Sequence, residues 1–161
     1  MWYKQAQNLS GNLRNSMPSN EAEILKKLIS IRSAIASAAQ QVYDEWDPED
    51  VDTYANGGIC NLIAPEIARV VQSAFPEYTV LTANYESPNH EYVQLILTSD
   101  ESFYDESNIG HVSVFDIDIP YNLYEIHNSE YDWSKIENVV FNEDSVFIEY
   151  RTDDLENLRY Y

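Results

Sequence analysis

The spacing of apolar positions changes near residue 76. Before it, apolar residues recur with the period of a helix; after it, they come in short runs rich in β-branched and aromatic side chains. Ile24, Leu28, Ile31, Ile35, Ala38 and Val42 follow one another at alternating steps of four and three, which lines one side of an α-helix. They predict an amphipathic helix from Asn20 to about Trp46. Asn20, with Glu23 three residues on and Pro18 just outside, has the form of a capping box. A second helix is predicted from Cys60, with Ile63, Ile67, Val70, Val71 and Ala74 on one side. Pro65 has no N–H for the Asn61 carbonyl, so this helix is expected either to kink or to begin its regular part near Ile63.

Beyond Pro76 the runs 78–84, 92–98, 110–119, 122–127 and 145–150 read as strands. Ser87 to Glu91 and Ser99 to Asn108 read as the turns between the first three, and Pro120, Tyr121 and Asn122 sit where a further hairpin can close. Helices first and strands afterwards predict an α+β fold, with N-terminal helices packed on an antiparallel sheet. Residues 1–19 are polar and aperiodic and read as a flexible N-terminal arm. Residues 20–46 form the first helix, and 54–161 the core that carries the chemistry. Between the helices, Asp47, Pro48 and Asp50 predict a short helical turn, and Gly57 and Gly58 a tight bend. This acidic link lacks the glycine and terminal glutamate of an EF-hand calcium loop and reads as solvated.

At 161 residues the chain fits a single domain able to bury a sizeable core. It has no apolar run long enough for a membrane span. Its start lacks the apolar stretch of a secretory signal, so a cytoplasmic protein is expected. One cysteine excludes an internal disulfide. Charge narrows the field further: 28 acidic against 9 basic residues give a formal net charge of −19. Nucleic-acid backbones and anionic membranes both demand cations, so neither is expected as a direct partner. A basic protein or peptide is. The 13 tyrosines read first as packing, although Tyr3, Tyr121, Tyr160 and Tyr161 also suit a protein interface.

Cys60 opens its helix directly after Gly57, Gly58 and Ile59, where unpaired backbone donors and the helix dipole favour a thiolate. Buried packing is the plain alternative for a lone cysteine. His111, after Gly110 at the start of an apolar strand, has the chemistry of its base, since neutral imidazole accepts a thiol proton near pH 7. A satisfied edge histidine is the alternative there. Asp116 and Asp118 lie close in sequence to His111, but alternation along a strand turns His111 away from both. No metal site is expected from them, and they read as a solvated strand face.

NGGICNLIAPEIARVV, then GHVSVFDIDIP and LYEIHNSEYDW about fifty residues on, resemble the small papain-like cysteine hydrolases of bacteria and phages over roughly Tyr54 to Trp133. The resemblance implies a Cys60–His111 dyad that attacks an amide or thioester carbonyl through an acyl-enzyme and needs no cofactor. It also implies an orienting residue from the return strand, either Glu125 or Asn128, with His127 and Asp116 behind them. For the oxyanion it implies the Cys60 backbone amide and a side chain upstream. Papain has glutamine six residues before its cysteine; Tyr54 stands there, and Asn56 is the candidate donor. The competing expectation, from charge alone, is a non-catalytic acidic protein that imitates nucleic-acid phosphates and occupies a basic cleft of its partner.

Overall fold

A computed structural model of the chain describes residues 17–46, 59–86, 89–119 and 140–159. Among them the order is α1 (Ser19–Ser30), α2 (Arg32–Glu45), α3 (Cys60–Ala74), β1 (Thr79–Glu86), β2 (Asn89–Ile96), α4 (Asp100–Tyr104), β3 (His111–Asp118), a 3-10 turn (Glu143–Ser145), β4 (Phe147–Asp154) and α5 (Leu155–Leu158). The four strands form one antiparallel sheet in the order β1-β2-β3-β4. The protein is therefore α+β, with α1, α2 and α3 before the sheet and the short α4 and α5 within and after it. The predicted strand at 122–127 lies outside the described residues, as do the arm at 1–16 and the acidic link at 47–58.

The first helical stripe is divided between two helices. Ile31 has φ −101° and ψ 6°, in the bridge region between helix and strand, and its N–H bonds back to the Lys27 and Leu28 carbonyls. The chain restarts at once, and Ile24, Leu25 and Leu28 from α1 join Ile35, Ala36 and Ala39 from α2 in one core. The capping box does not form. The helix begins one residue earlier, with extended Pro18 as its cap and no side-chain hydrogen bond; the Pro18 carbonyl accepts from Ala22.

Helix α3 runs from Cys60 straight through Pro65. Pro65 falls in the second turn, past the first-turn N–H groups that lack an acceptor, so the Asn61 carbonyl receives no N–H from it, while the Ile59 carbonyl anchors the first turn by accepting from both Leu62 and Ile63. Ile59, Ile63, Ile67 and Val71 are essentially excluded from solvent. They pack against Val93, Leu95, Phe115 and Ile117, which line one face of the sheet. The opposite face closes over a smaller core of Ile96 and Val114 with Phe103, Leu155 and Leu158. Helix α4 occupies part of the segment read as a turn, and Ser99 caps it by accepting from Ser102 N–H.

The β1–β2 hairpin pairs Glu86 with Asn89 and Tyr85 with His90. Only two residues join the strands, and β2 begins three residues earlier than its apolar run. His90, read as part of a turn, is thereby the second residue of a strand.

Candidate functional site

Alternation along β2 and β3, with Gln94 paired to Asp116, sets His90, Tyr92, Gln94, Asp116 and Asp118 on one side of the sheet. All five are buried. Burying this many polar groups is costly unless each meets a partner, and the partners form two clusters.

In the first, His90 Nε2 lies 2.8 Å from Asp118 Oδ2, and the Cys60 thiol lies near enough to act on the charge of the imidazole. The first residue of α3 thus comes close to the hairpin end of β2, and a cysteine, a histidine and an aspartate from three elements stand together. Asp118 is further held by the Ile119 backbone N–H.

Burial alone lowers the basicity of the His90 imidazole, but the hydrogen bond to Asp118, the nearby Cys60 thiol and the negative charge each carries when ionised raise its pKa to about 9. Burial lifts the Asp118 carboxyl to about 6, against the opposing pull of His90 and the Ile119 amide. Between those values the pair is imidazolium and carboxylate. An imidazole near a thiol and paired with Asp118 is a group that can exchange a proton with sulfur, and in its neutral form the Asp118 contact selects the tautomer.

The second cluster lies beside the first. Arg151 of β4 donates to Asp116 from Nε at 2.8 Å and also pairs with Asp153. Burial pushes the Asp116 carboxyl up and Arg151 pulls it down, with a net rise.

Cys60 is half-buried at the first position of α3, where the sequence placed it. His111 is elsewhere. It opens β3 with its side chain 78% exposed, and its Nδ1 lies 3.1 Å from Asp154 Oδ1 at the end of β4. Seven residue steps separate it from Asp118, about 23 Å along an extended strand. The histidine beside Cys60 is His90, so the expected Cys60–His111 pairing is replaced by Cys60–His90. Glu125, Asn128 and Asn56 lie outside the described residues, and the carboxylate that orients the imidazole among the described residues is Asp118. Asp116 and Asp118 are no solvated face either: they are 3% and 5% exposed, because each has a cationic partner to offset its burial.

Two signals pointed to this site. The two aspartates at i and i+2 on an otherwise apolar strand share one side by parity, and a two-residue hairpin would have brought His90 into a strand. Among the described residues, no three metal-binding side chains converge on one point, and no helix is long and apolar enough to cross a membrane. No protein-family model, curated protein or solved structure matches the chain.

Proposed function

We propose that the protein is a papain-like cysteine hydrolase that cleaves or deamidates an amide in a basic protein or peptide. The observation that carries this reading is the grouping of Cys60, His90 and Asp118, a thiol at a helix start near a buried imidazole that is itself paired with a buried carboxylate. Cys60 passes its thiol proton to the neutral form of His90 as Sγ attacks the amide carbonyl, and the tetrahedral oxyanion forms near the start of α3, whose first amides have no intrahelical acceptor. His90 gives its proton to the departing amine as the C–N bond breaks and the thioester forms. It then takes a proton from water, whose oxygen displaces Cys60 and releases the acid. Asp118 keeps the ring oriented throughout and stabilises its charged form. The chain's own charge of −19 supports a cationic substrate, drawn in by long-range attraction.

The test is incubation with mixed lysine- and arginine-rich peptides, read by mass spectrometry for cleavage or for conversion of amide to acid. Turnover should fall roughly 10³-fold or more in Cys60→Ala and in His90→Ala, with the fold intact in Cys60→Ala. The acidic charge also supports a non-catalytic reading, occupation of a basic cleft. Partner binding that weakens steeply with salt and is unchanged in Cys60→Ala, without turnover by the native chain, would favour that instead.

A further inference from the structure

Two buried carboxylates stand at alternate positions of β3, on the same side of the sheet and about 7 Å apart along the strand. Like charges this close and this shielded resist being ionised together, so one of them should hold a proton unless something compensates. Asp118 is committed to His90. Asp116 is met by Arg151, which reaches across from β4 with Nε at 2.8 Å from Oδ2 and Nη2 at 3.5 Å from Oδ1. The β3–β4 register pairs Arg151 with Val114 and Glu149 with Asp116, so Arg151 shares the side on which both aspartates lie. Its second carboxylate partner, Asp153, holds the guanidinium from the other flank. Gln94, paired with Asp116 across the two strands, completes the surround and donates to the Tyr92 hydroxyl.

We propose that Arg151 is a positioning residue for the Cys60–His90–Asp118 grouping: by pairing with Asp116, it leaves Asp118 free to remain a carboxylate and hold His90. The inference rests on the reading of that grouping as the reactive site, although its test does not require turnover. Among the described residues, the titratable and charged groups that share the Asp118 side of the sheet are Asp116 on its own strand, His90 and Tyr92 from β2, and Glu149, Arg151 and Asp153 from β4, with Cys60 of α3 near His90. Of these, Arg151 is the only fixed cation. Removing it leaves the charge of Asp116 uncompensated beside Asp118, opposed there by the charge of His90 alone, and the carboxylate that anchors the imidazole then takes up a proton at a higher pH. His90 loses its anchor over the range in which a thiol and an imidazole would otherwise exchange a proton.

The experiment is titration of the Asp118 carboxyl carbon by NMR in the native chain, Arg151→Met, Arg151→Lys and the double variant Asp116→Asn/Arg151→Met. The midpoint should rise by about one pH unit in Arg151→Met, stay near native in Arg151→Lys, and return toward native in the double variant, which removes the like charge along with its partner. An unmoved Asp118 midpoint in folded Arg151→Met, with the extra proton taken by Asp116 alone, overturns the inference. Should Arg151→Met fail to fold, Asp116→Asn carries the test: with Arg151 retained, the Asp118 midpoint must fall, and no movement overturns the inference there too. Because the readout is a carboxyl and not a product, an inactive protein would count against the proposed hydrolase without deciding the role of Arg151.

Discussion

The two ends of β3 each carry a histidine–aspartate pair at close to the same separation, 3.1 Å for His111 and Asp154 and 2.8 Å for His90 and Asp118. One is largely in water; the other is sealed. At the open end, solvent screens the attraction and two mobile side chains lose entropy to meet, so the pair adds little. At the closed end, neither group can be satisfied by water, and each becomes a condition for the other's burial. Distance does not distinguish them. What surrounds them does, and only the closed pair has a thiol nearby.

The widest gap between the two ends should show in cysteine chemistry. Alkylation of Cys60 by iodoacetamide below pH 7 should slow roughly 10²-fold in His90→Ala, since the activating imidazole is gone, and stay at the native rate in His111→Ala. Equal rates in all three proteins would break the comparison at its functional point. Next come the aspartates. Asp118→Ala strands a buried imidazole and should cost about 3–5 kcal/mol in denaturant unfolding, whereas Asp154→Ala should stay within about 0.5 kcal/mol of native.

A smaller effect is expected from pH. His90 has its pKa raised from 6.5 to about 9 in the folded chain, so the folded state holds a proton that the unfolded chain releases between those values. The resulting stability is complete below pH 6.5 and is lost as pH climbs through 9, on the order of 3 kcal/mol. Asp118 adds the same sign at lower pH, because burial raises its pKa to about 6: folding favours its protonated form, and stability declines as pH passes from the unfolded value near 3.8 through 6. Unfolding titrations from pH 4 to 9 should therefore slope downward, and the upper part of the slope should vanish in His90→Ala. Smallest of all, moving from low to high salt should leave the His90–Asp118 pair's contribution almost unchanged while erasing what little the exposed pair provides.

The helices and the sheet were readable because they rest on repetition. Ile63, Ile67 and Val71 declare a helix face whatever surrounds them, and β-branched runs declare strands. Cys60 at the head of α3 was readable for the same reason, since the glycines before it and the apolar stripe after it mark a helix start. His90 was hidden by its neighbours. Ser87, Pro88 and Asn89 are turn formers, and only the pairing of Glu86 with Asn89 shows that Asn89 and His90 belong to the strand. His111 misled for the converse reason: Gly110 and an apolar run gave it the local setting of a base, but the far end of the strand was the end that mattered. Asp116 and Asp118 were read as wet because charge usually is; that each would meet a cation, from β2 in one case and β4 in the other, depends on strand order and register. The break at Ile31 has no mark in the apolar stripe, which continues through it without a change of step.

The short β1–β2 connection has one more implication. Whether residues 90 and 118 share a side of the sheet is a matter of odd and even, settled by how many residues separate them from the turn. Inserting residues within the turn itself would leave that parity intact. Deleting a single residue between Asn89 and Val93 would send His90 to the other side while the apolar ladder beyond it kept its pairing. A lineage carrying such a deletion would keep a foldable protein and lose the grouping of three residues in one step, so chain length in this hairpin is as open to selection as the identity of the side chains.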